Sequence, residues 1–468
     1  MKSLDELTAP KIDQGGPPGA GTFAYVDISS IDNQSKRIVE PKHIPADEAP
    51  SRAKQRLHTG DVLVSMTRPN LNAVALVSHE LNGAIGSTGF HVLRAAETVL
   101  PQWLYYGVQS QRFIKEMSAL VQGALYPAVR PKDIRGFQLP TPKLDEQRRI
   151  VAEIEKQFSR LDQAVASLQR VKAQLKRYKA SVLKAAVEGR LVETEAERAR
   201  REGRGFETGA ELAAQGSANA AGGRKPGAAL HYETGEQLLK RILETRRSQW
   251  KGKGKYKEPA APETAGLPEL PEGWCWSSTD QLAEVGTGAT PNRSNATFFD
   301  GGDIPWVTSA VVNAPFVDKA SELVTRAALL QTNLTEYPPG TLLVAMYGEG
   351  KTRGKCSELR ITAATNQALA AVQADPSVRS YLKIFLEHNY EETRKVASGG
   401  VQPNLNLSLV RAIRVPLPPL REQHRIVAEV DRRLSIVREV EAEVDANLKR
   451  AQTLRQAVLA RAFTGTSS

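Results

Sequence analysis

The chain has 468 residues, 41% of them apolar and 25% charged, with a net charge of +11. That length is a prior for two to four domains, and a basic balance of this size favours nucleic acid or another polyanion as partner. Two cysteines, Cys275 and Cys356, are too few for a disulfide scaffold or a cysteine-rich zinc site, and no apolar run approaches the ~18 residues of a membrane span. The thiols read as buried in a reducing compartment, and Met1–Lys11 lacks the apolar core of a signal peptide, so a cytoplasmic protein is expected.

In chain order, residues 1–138 read as a globular α+β segment. Short β-rich runs fall at Gly60–Met66 and Ala73–Val77, and a helix is expected over Pro101–Ser118. Residues 139–190 read as one long helix: Val151, Ile154, Phe158, Leu161, Val165, Leu168, Val171, Leu175, Tyr178 and Val182 recur at steps of three or four. Pro140 and Pro142 mark its start and Gly189 its stop. Residues 191–266 form a linker. It contains a flexible-looking run at 215–223, an echo of Phe206-Glu207-Thr208-Gly209 in Tyr232-Glu233-Thr234-Gly235, and a short helix over Glu236–Gln249. Arg246–Lys257 then carries six basic residues, two aromatics and no acid, which suits either a phosphate backbone or a solvated tether. Residues 267–414 repeat the globular pattern, with strands at Thr341–Met346 and Ala368–Val372 and a helix over Val378–Ser398. Residues 415–468 form a second long helix, with Val427, Val430, Leu434, Val437, Val440, Val444, Leu448, Leu454 and Val458 on its seam and Gly465 at its end.

The dominant signal is internal. Leu144–Glu153 and Leu420–Glu429 align without a gap at an offset of 276, with eight of ten positions identical. Fainter matches join Gly60–Met66 to Gly340–Met346 and Gly123–Val129 to Gly399–Leu405. The chain is one unit written twice, a globular segment followed by a rod. A rod of about 45 residues would be roughly 65–70 Å long and cannot stand alone in water with one apolar stripe. Each is expected to pair with the other as an intramolecular antiparallel coiled coil, giving a pseudo-two-fold tandem repeat.

These residues resemble the specificity subunits of type I restriction–modification systems, whose order is recognition domain, long helix, recognition domain, long helix. Leu420–Val427 and Leu144–Val151 are similar to that family's helix-start signature. Leu270-Pro271-Glu272-Gly273-Trp274, Gly286–Pro291, Gly302–Val307 and Thr365-Asn366-Gln367 resemble its recognition-domain elements. Tyr25–Ile28 takes the place of Trp306–Ser309, but the first domain has no Leu-Pro-Glu-Gly-Trp counterpart, which allows a first domain without its opening strand.

The resemblance implies double-stranded DNA as partner and a split, asymmetric target with an unread gap. It also implies two modification subunits, with restriction subunits joined through them. S-adenosylmethionine, ATP and magnesium would belong to those partners and no cofactor to this chain. The base-reading candidates are polar loop residues: Arg68, Asn70 and Tyr126 in the first domain, and Tyr347, Lys351, Thr352, Arg353, Gln402 and Asn404 in the second. Glu146, Gln147, Arg149, Glu422, Gln423 and Arg425 at the helix starts either dock partners or cap helices. Charge adds a constraint. Residues 267–418 hold 13 basic and 15 acidic residues, whereas 143–190 hold 12 against 6.

No catalytic constellation stands out. Gly348–Thr352 resembles the end of a phosphate loop, but the glycine such a loop needs five positions before Gly350 is Ala345. The seven histidines show no metal-ligand spacing. The competing readings are a fused nuclease or methyltransferase, a coiled-coil adaptor that reads no DNA, and the DNA-binding subunit of a methyltransferase system without restriction activity.

Overall fold

The computed structural model describes residues 1–121, 123, 127–202, 232–252, 254–347, 352–390 and 405–464. The chain divides into two compact units, Met1–Lys172 with Ala442–Ser468 and Ala173–Glu441. The division cuts both long helices, Leu144–Val187 and Leu420–Thr464, so each begins in one unit and ends in the other.

In the first unit, strand Lys2–Ser3 pairs antiparallel with Gln138–Leu139. Ser3 and Glu6 form a capping box for the short helix Leu4–Leu7, and both leucines are fully buried. A four-stranded sheet runs in the order Lys42–Pro45, Thr22–Val26, Ile85–Ser87, Ala53–Arg56, with its central pair parallel. A three-stranded antiparallel sheet has the order Phe90–Leu93, Val62–Ser65, Val74–Leu76. Its middle strand is buried on both faces, which is why it reads as a continuous apolar run. Val62 and Val64 join the helical core around Trp103, while Leu63 faces a second core with Val26, Ala75 and Phe90.

The second unit follows the same plan. Cys275–Ser278 pairs with Arg414–Leu417, and Ser278 and Gln281 box the helix Thr279–Leu282. The four-stranded sheet runs Glu322–Val324, Ile304–Val307, Ala363–Thr365, Glu336–Tyr337, again with a parallel central pair. The other sheet has five strands: Ala283–Thr287, Leu369–Ala374, Leu342–Ala345, Cys356–Leu359, Phe316–Val317. Leu342 and Val344 face the helical core, and Leu343 and Ala345 the opposite one.

This comparison corrects the reading of the first domain's start. Its opening strand is present. The strand that is reduced is the next one: where the second unit has Ala283–Thr287, the first has a single bridge, Thr8 to Ala95. Pro10 removes a ladder donor just after that bridge, and the run Gly15-Gly16-Pro17-Pro18-Gly19 follows. The overlooked signal was Ser3-Leu4-Asp5-Glu6-Leu7 against Ser278-Thr279-Asp280-Gln281-Leu282.

The helix expected over Pro101–Ser118 is two helices, Pro101–Gly107 and Gln111–Ala119, because Ser110 caps the second. The helix expected over Val378–Ser398 is described as Arg379–His388. The long helices span 44 and 45 residues. Gly189 takes positive φ just past the first, as its stop.

Within the first unit the helix segments run antiparallel, with Asp162 2.6 Å from Arg455 and Lys172 2.6 Å from Asp445. The seam was read only partly. Val151, Ile154 and Phe158 pack with Leu459 and Phe463, while Leu454 points to solvent. In the second unit Val182, Leu183 and Ala186 pack with Ile426, Val430 and Leu434. On the first helix full burial concentrates where a reader domain adds a third layer, whereas the second also buries Val444 and Ala451 in mid-rod. Val165, Leu168 and Val171, which have only the opposing helix, stay half-buried.

Each helix start is bolted to its own reader in one way. Trp103 Nε1 donates to Pro140 O, and Tyr381 OH donates to Pro416 O, both at 2.8 Å. Part of the linker is also structured. Leu191 and Val192 pack on the second core, Ala196 and Ala199 of helix Glu195–Arg201 are buried, and helix Gly235–Ser248 inserts Leu238 and Ile242. The 206–223 region lies outside the described residues.

Candidate nucleic-acid interface

In each unit the structure joins the two loops that sequence reasoning chose independently. In the first, Arg68 N–H donates to Pro127 O and Val129 N–H to Met66 O, both at 2.8 Å. The loop after Val62–Ser65 is thereby stitched to the Gly-rich loop. In the second, Leu405 N–H donates to Met346 O at 3.1 Å, making the corresponding stitch. Two loops held side by side form one polar rim at the end of the buried central strand. Loops on a rigid sheet are where recognition residues belong.

The first rim is held under backbone strain. Lys36, Arg68 and Asn72 all adopt positive φ, and all three meet here. Asn72 is buried and donates through Nδ2 to Val108 O at 2.9 Å. Lys36 Nζ donates to the carbonyls of Leu71 and Asn72. Burial, with the Arg455 guanidinium nearby, holds the Lys36 ammonium down at about 8. Left-handed non-glycine residues cost about 1–3 kcal/mol each and persist only where the surroundings over-determine them. Between the anchors, Arg68, Asn70 and Leu71 are exposed. The loop is pre-shaped, with its polar tips facing water.

In the second rim, Tyr347 is exposed and Thr352 and Arg353 are half-buried. Gly354, at φ +84°, turns the chain back so that its N–H meets Ala345 O at 2.8 Å. Lys355 Nζ donates to Asn313 Oδ1 at 2.7 Å. Tyr126, Lys351, Gln402 and Asn404 lie outside the described residues, as does the Gly348–Lys351 stretch. The Thr365-Asn366-Gln367 element is structural here. Asn366 N–H donates to Val307 O, and Gln367 Oε1 accepts from Thr290 N–H, both at 3.0 Å. Gly288 lies so close that a Cβ would sit 1.7 Å from Thr365 O.

The helix-start residues divide. Gln147 is fully buried: its Oε1 accepts from Leu100 N–H and its Nε2 donates to the Thr98 and Pro142 carbonyls. Gln423 donates to Pro418 O. Glu422 is fully buried and accepts from Trp274 Nε1 at 3.0 Å and from Glu195 N–H at 2.9 Å. Burial pushes its carboxyl up to about 7 despite those bonds and the Arg425 charge. Arg425 pairs with buried Glu195 and donates to Glu193 O. Gln147, Glu422 and Arg425 fasten helix to reader or linker inside the chain, while Gln423 binds back to the lead-in of its own helix. Glu146 and Arg149 are exposed and face outward. The repeat makes the two glutamates look equivalent, but only the second copy has a tryptophan to bind.

Among the described residues no cluster of three or more His, Cys, Asp or Glu could hold a metal ion, and no helix is long and apolar enough to cross a membrane. Both thiols are pushed up by burial, Cys275 to about 12, so neither is a ready nucleophile.

Comparison with known proteins agrees with this architecture. Residues 271–446 match the family described as type I restriction modification DNA specificity domain. The HindI specificity subunit of Haemophilus influenzae is 22% identical over 83% of this chain and 84% of its own length. The Escherichia coli EcoR124I/EcoR124II specificity subunit is 21% identical, and the Methanocaldococcus jannaschii MjaIX specificity subunit 27%, each over 34% of this chain. Those two alignments span only 40% and 37% of the relatives' lengths. A solved chain from work on complex assembly and conformational transition of the type I R-M system superposes with a TM-score of 0.64. That superposition covers 98% of this chain and 96% of the other at 24% identity, and so attests the fold. Residues 271–446 thus resemble a type I restriction modification DNA specificity domain, and most of the chain is similar to a type I specificity subunit.

Proposed function

We propose that this protein is the non-catalytic, DNA-reading subunit of a cytoplasmic type I restriction–modification complex. One observation carries the reading. Two domains built on one plan each tie the backbone after their buried central strand to a second segment, through Arg68 and Val129 in the first and Leu405 in the second, and the loop sequences differ while the rods agree. Readers that differ on a shared scaffold suit a split target with unlike halves. Each reader would contact base edges, worth about 1–3 kcal/mol per good bidentate contact, while phosphate contacts set register. Arg68, Asn70, Tyr126, Tyr347, Lys351, Thr352, Arg353, Gln402 and Asn404 are the proposed readers. The rods would space the two half-sites.

Two modification subunits would bring S-adenosylmethionine, and restriction subunits ATP and magnesium. Exposed apolar side chains on the rods, Tyr178, Ile436, Val440 and Leu454, together with Glu146 and Arg149, suit the docking of modification subunits. The test is methylome sequencing with and without this gene. Loss of one split, asymmetric methylated motif is expected. An unchanged methylome, with the partner methyltransferase expressed, removes the reading.

A further inference from the structure

The basic, aromatic segment that composition leaves ambiguous between tether and phosphate contact is no free tether. Its helix, Gly235–Ser248, is anchored in the second unit's core through Leu238 and Ile242. Arg246 Nη1 donates to the carbonyls of Asp280 and Gln281, and Ser278 Oγ donates to Ala260 O at 2.9 Å. Both ends of 246–260 are thus pinned to the Ser278–Leu282 turn that opens the second reader. Between the pins the described residues on either side of position 253 come back together. The Trp250 and Tyr256 rings meet edge-on at 5.7 Å, and Gly254 takes φ +99°. A Cβ on Gly252 would come within 2.2 Å of the Trp250 ring, so the segment needs glycine there.

This segment holds Lys251, Lys255 and Lys257 exposed, with no acidic partner among the described residues, beside a half-exposed Trp250. Arg247 is the residue that finds a carboxylate, Glu258. Holding like charges together on one pinned segment raises self-repulsion, which an anionic ligand relieves. The second reader needs such help, since its residues 267–418 hold 13 basic against 15 acidic residues.

We propose that the Trp250–Lys257 segment is a phosphate-contacting surface serving the second reader, its ligand being the sugar-phosphate backbone of double-stranded DNA. The proposal rests on the DNA-reading function above. Its test uses the full chain and a random-sequence duplex, titrated between 50 and 200 mM salt. Each lost phosphate contact lowers the log–log salt slope by about 0.9, so Lys251→Gln/Lys255→Gln/Lys257→Gln should lower it by about 2.7. Equivalently, the affinity lost across that fourfold salt range shrinks by roughly 40-fold. The matching Lys→Arg triple should keep the parent slope. A Gln triple with the parent slope overturns the proposal. If the parent chain still selects a split motif from a randomised duplex library, the specificity reading survives that result. A parent chain that selects nothing removes the reading, and this proposal with it.

Discussion

Replacing Glu422 by glutamine should stabilise the second unit at alkaline pH and leave it unchanged in acid. The carboxyl is fully buried and burial raises it from 4.5 to about 7. Between those values the folded protein holds a proton that the unfolded chain has released, so stability falls as pH rises from 4.5 through 7. A displacement of about 2.5 pH units corresponds to at most about 3 kcal/mol, fully present above pH 7 and absent below 4.5. Glutamine mimics the protonated form in shape and carries no charge, so Glu422→Gln should remove this slope. Urea unfolding of parent and variant at pH 5 and pH 8, followed by circular dichroism, measures the difference. Near-equality at pH 5 with the variant 1–3 kcal/mol more stable at pH 8 is expected. A variant less stable than the parent at pH 8 would refute the argument. It would mean that the bonds from Trp274 Nε1 and Glu195 N–H outweigh the burial of charge.

Asn72→Ala leaves Val108 O without its buried donor and puts alanine at φ +47°; a loss of about 2–4 kcal/mol in thermal or urea unfolding is expected. Lys36→Met should blur discrimination at one half-site and spare the other, as read by selection from a randomised duplex library, with Lys36→Arg restoring it. In the rods, Phe158→Ala should cost about 3–5 kcal/mol and its repeat counterpart Leu434→Ala about 2–5, because both are buried where helix meets reader. Leu454→Ala, on an exposed site, should change unfolding by under about 0.5 kcal/mol. Gly288→Ala should lower the melting temperature by several degrees, since its Cβ has no room beside Thr365 O.

What the sequence made legible was periodic or repeated. The rods showed through heptad spacing, and the duplication through Leu144–Glu153 and Leu420–Glu429. The buried strands Val62–Ser65 and Leu342–Ala345 showed as apolar runs. Sheet order stayed hidden because pairing such as Tyr25 with Ile85 joins residues far apart in sequence, and alternation along a strand does not name its neighbour. The rod register slipped toward Leu454 because the periodicity ignores the reader that packs on one side and favours Leu459 and Phe463. Gln147 and Glu422 looked like surface polar groups. Their inward direction is set by the Thr98 and Leu100 backbone and by Trp274, none of which is adjacent in sequence. The rim was legible as loop polarity, but its strain was not: Lys36, 32 positions before Arg68, gave no sign of reaching it.

The first unit is assembled from two segments far apart in sequence. Phe463 packs at a tilt against Trp103 with ring centroids 4.6 Å apart, and Leu459 sits in the same core. On a ribosome, that core must wait with an open flank while some 270 intervening residues are made and the second unit, contiguous in sequence, closes first. Clipping the last helical turns would therefore damage the domain encoded earliest. A nonsense codon that removes Leu459 and Phe463 should expose Trp103 and spare Trp306.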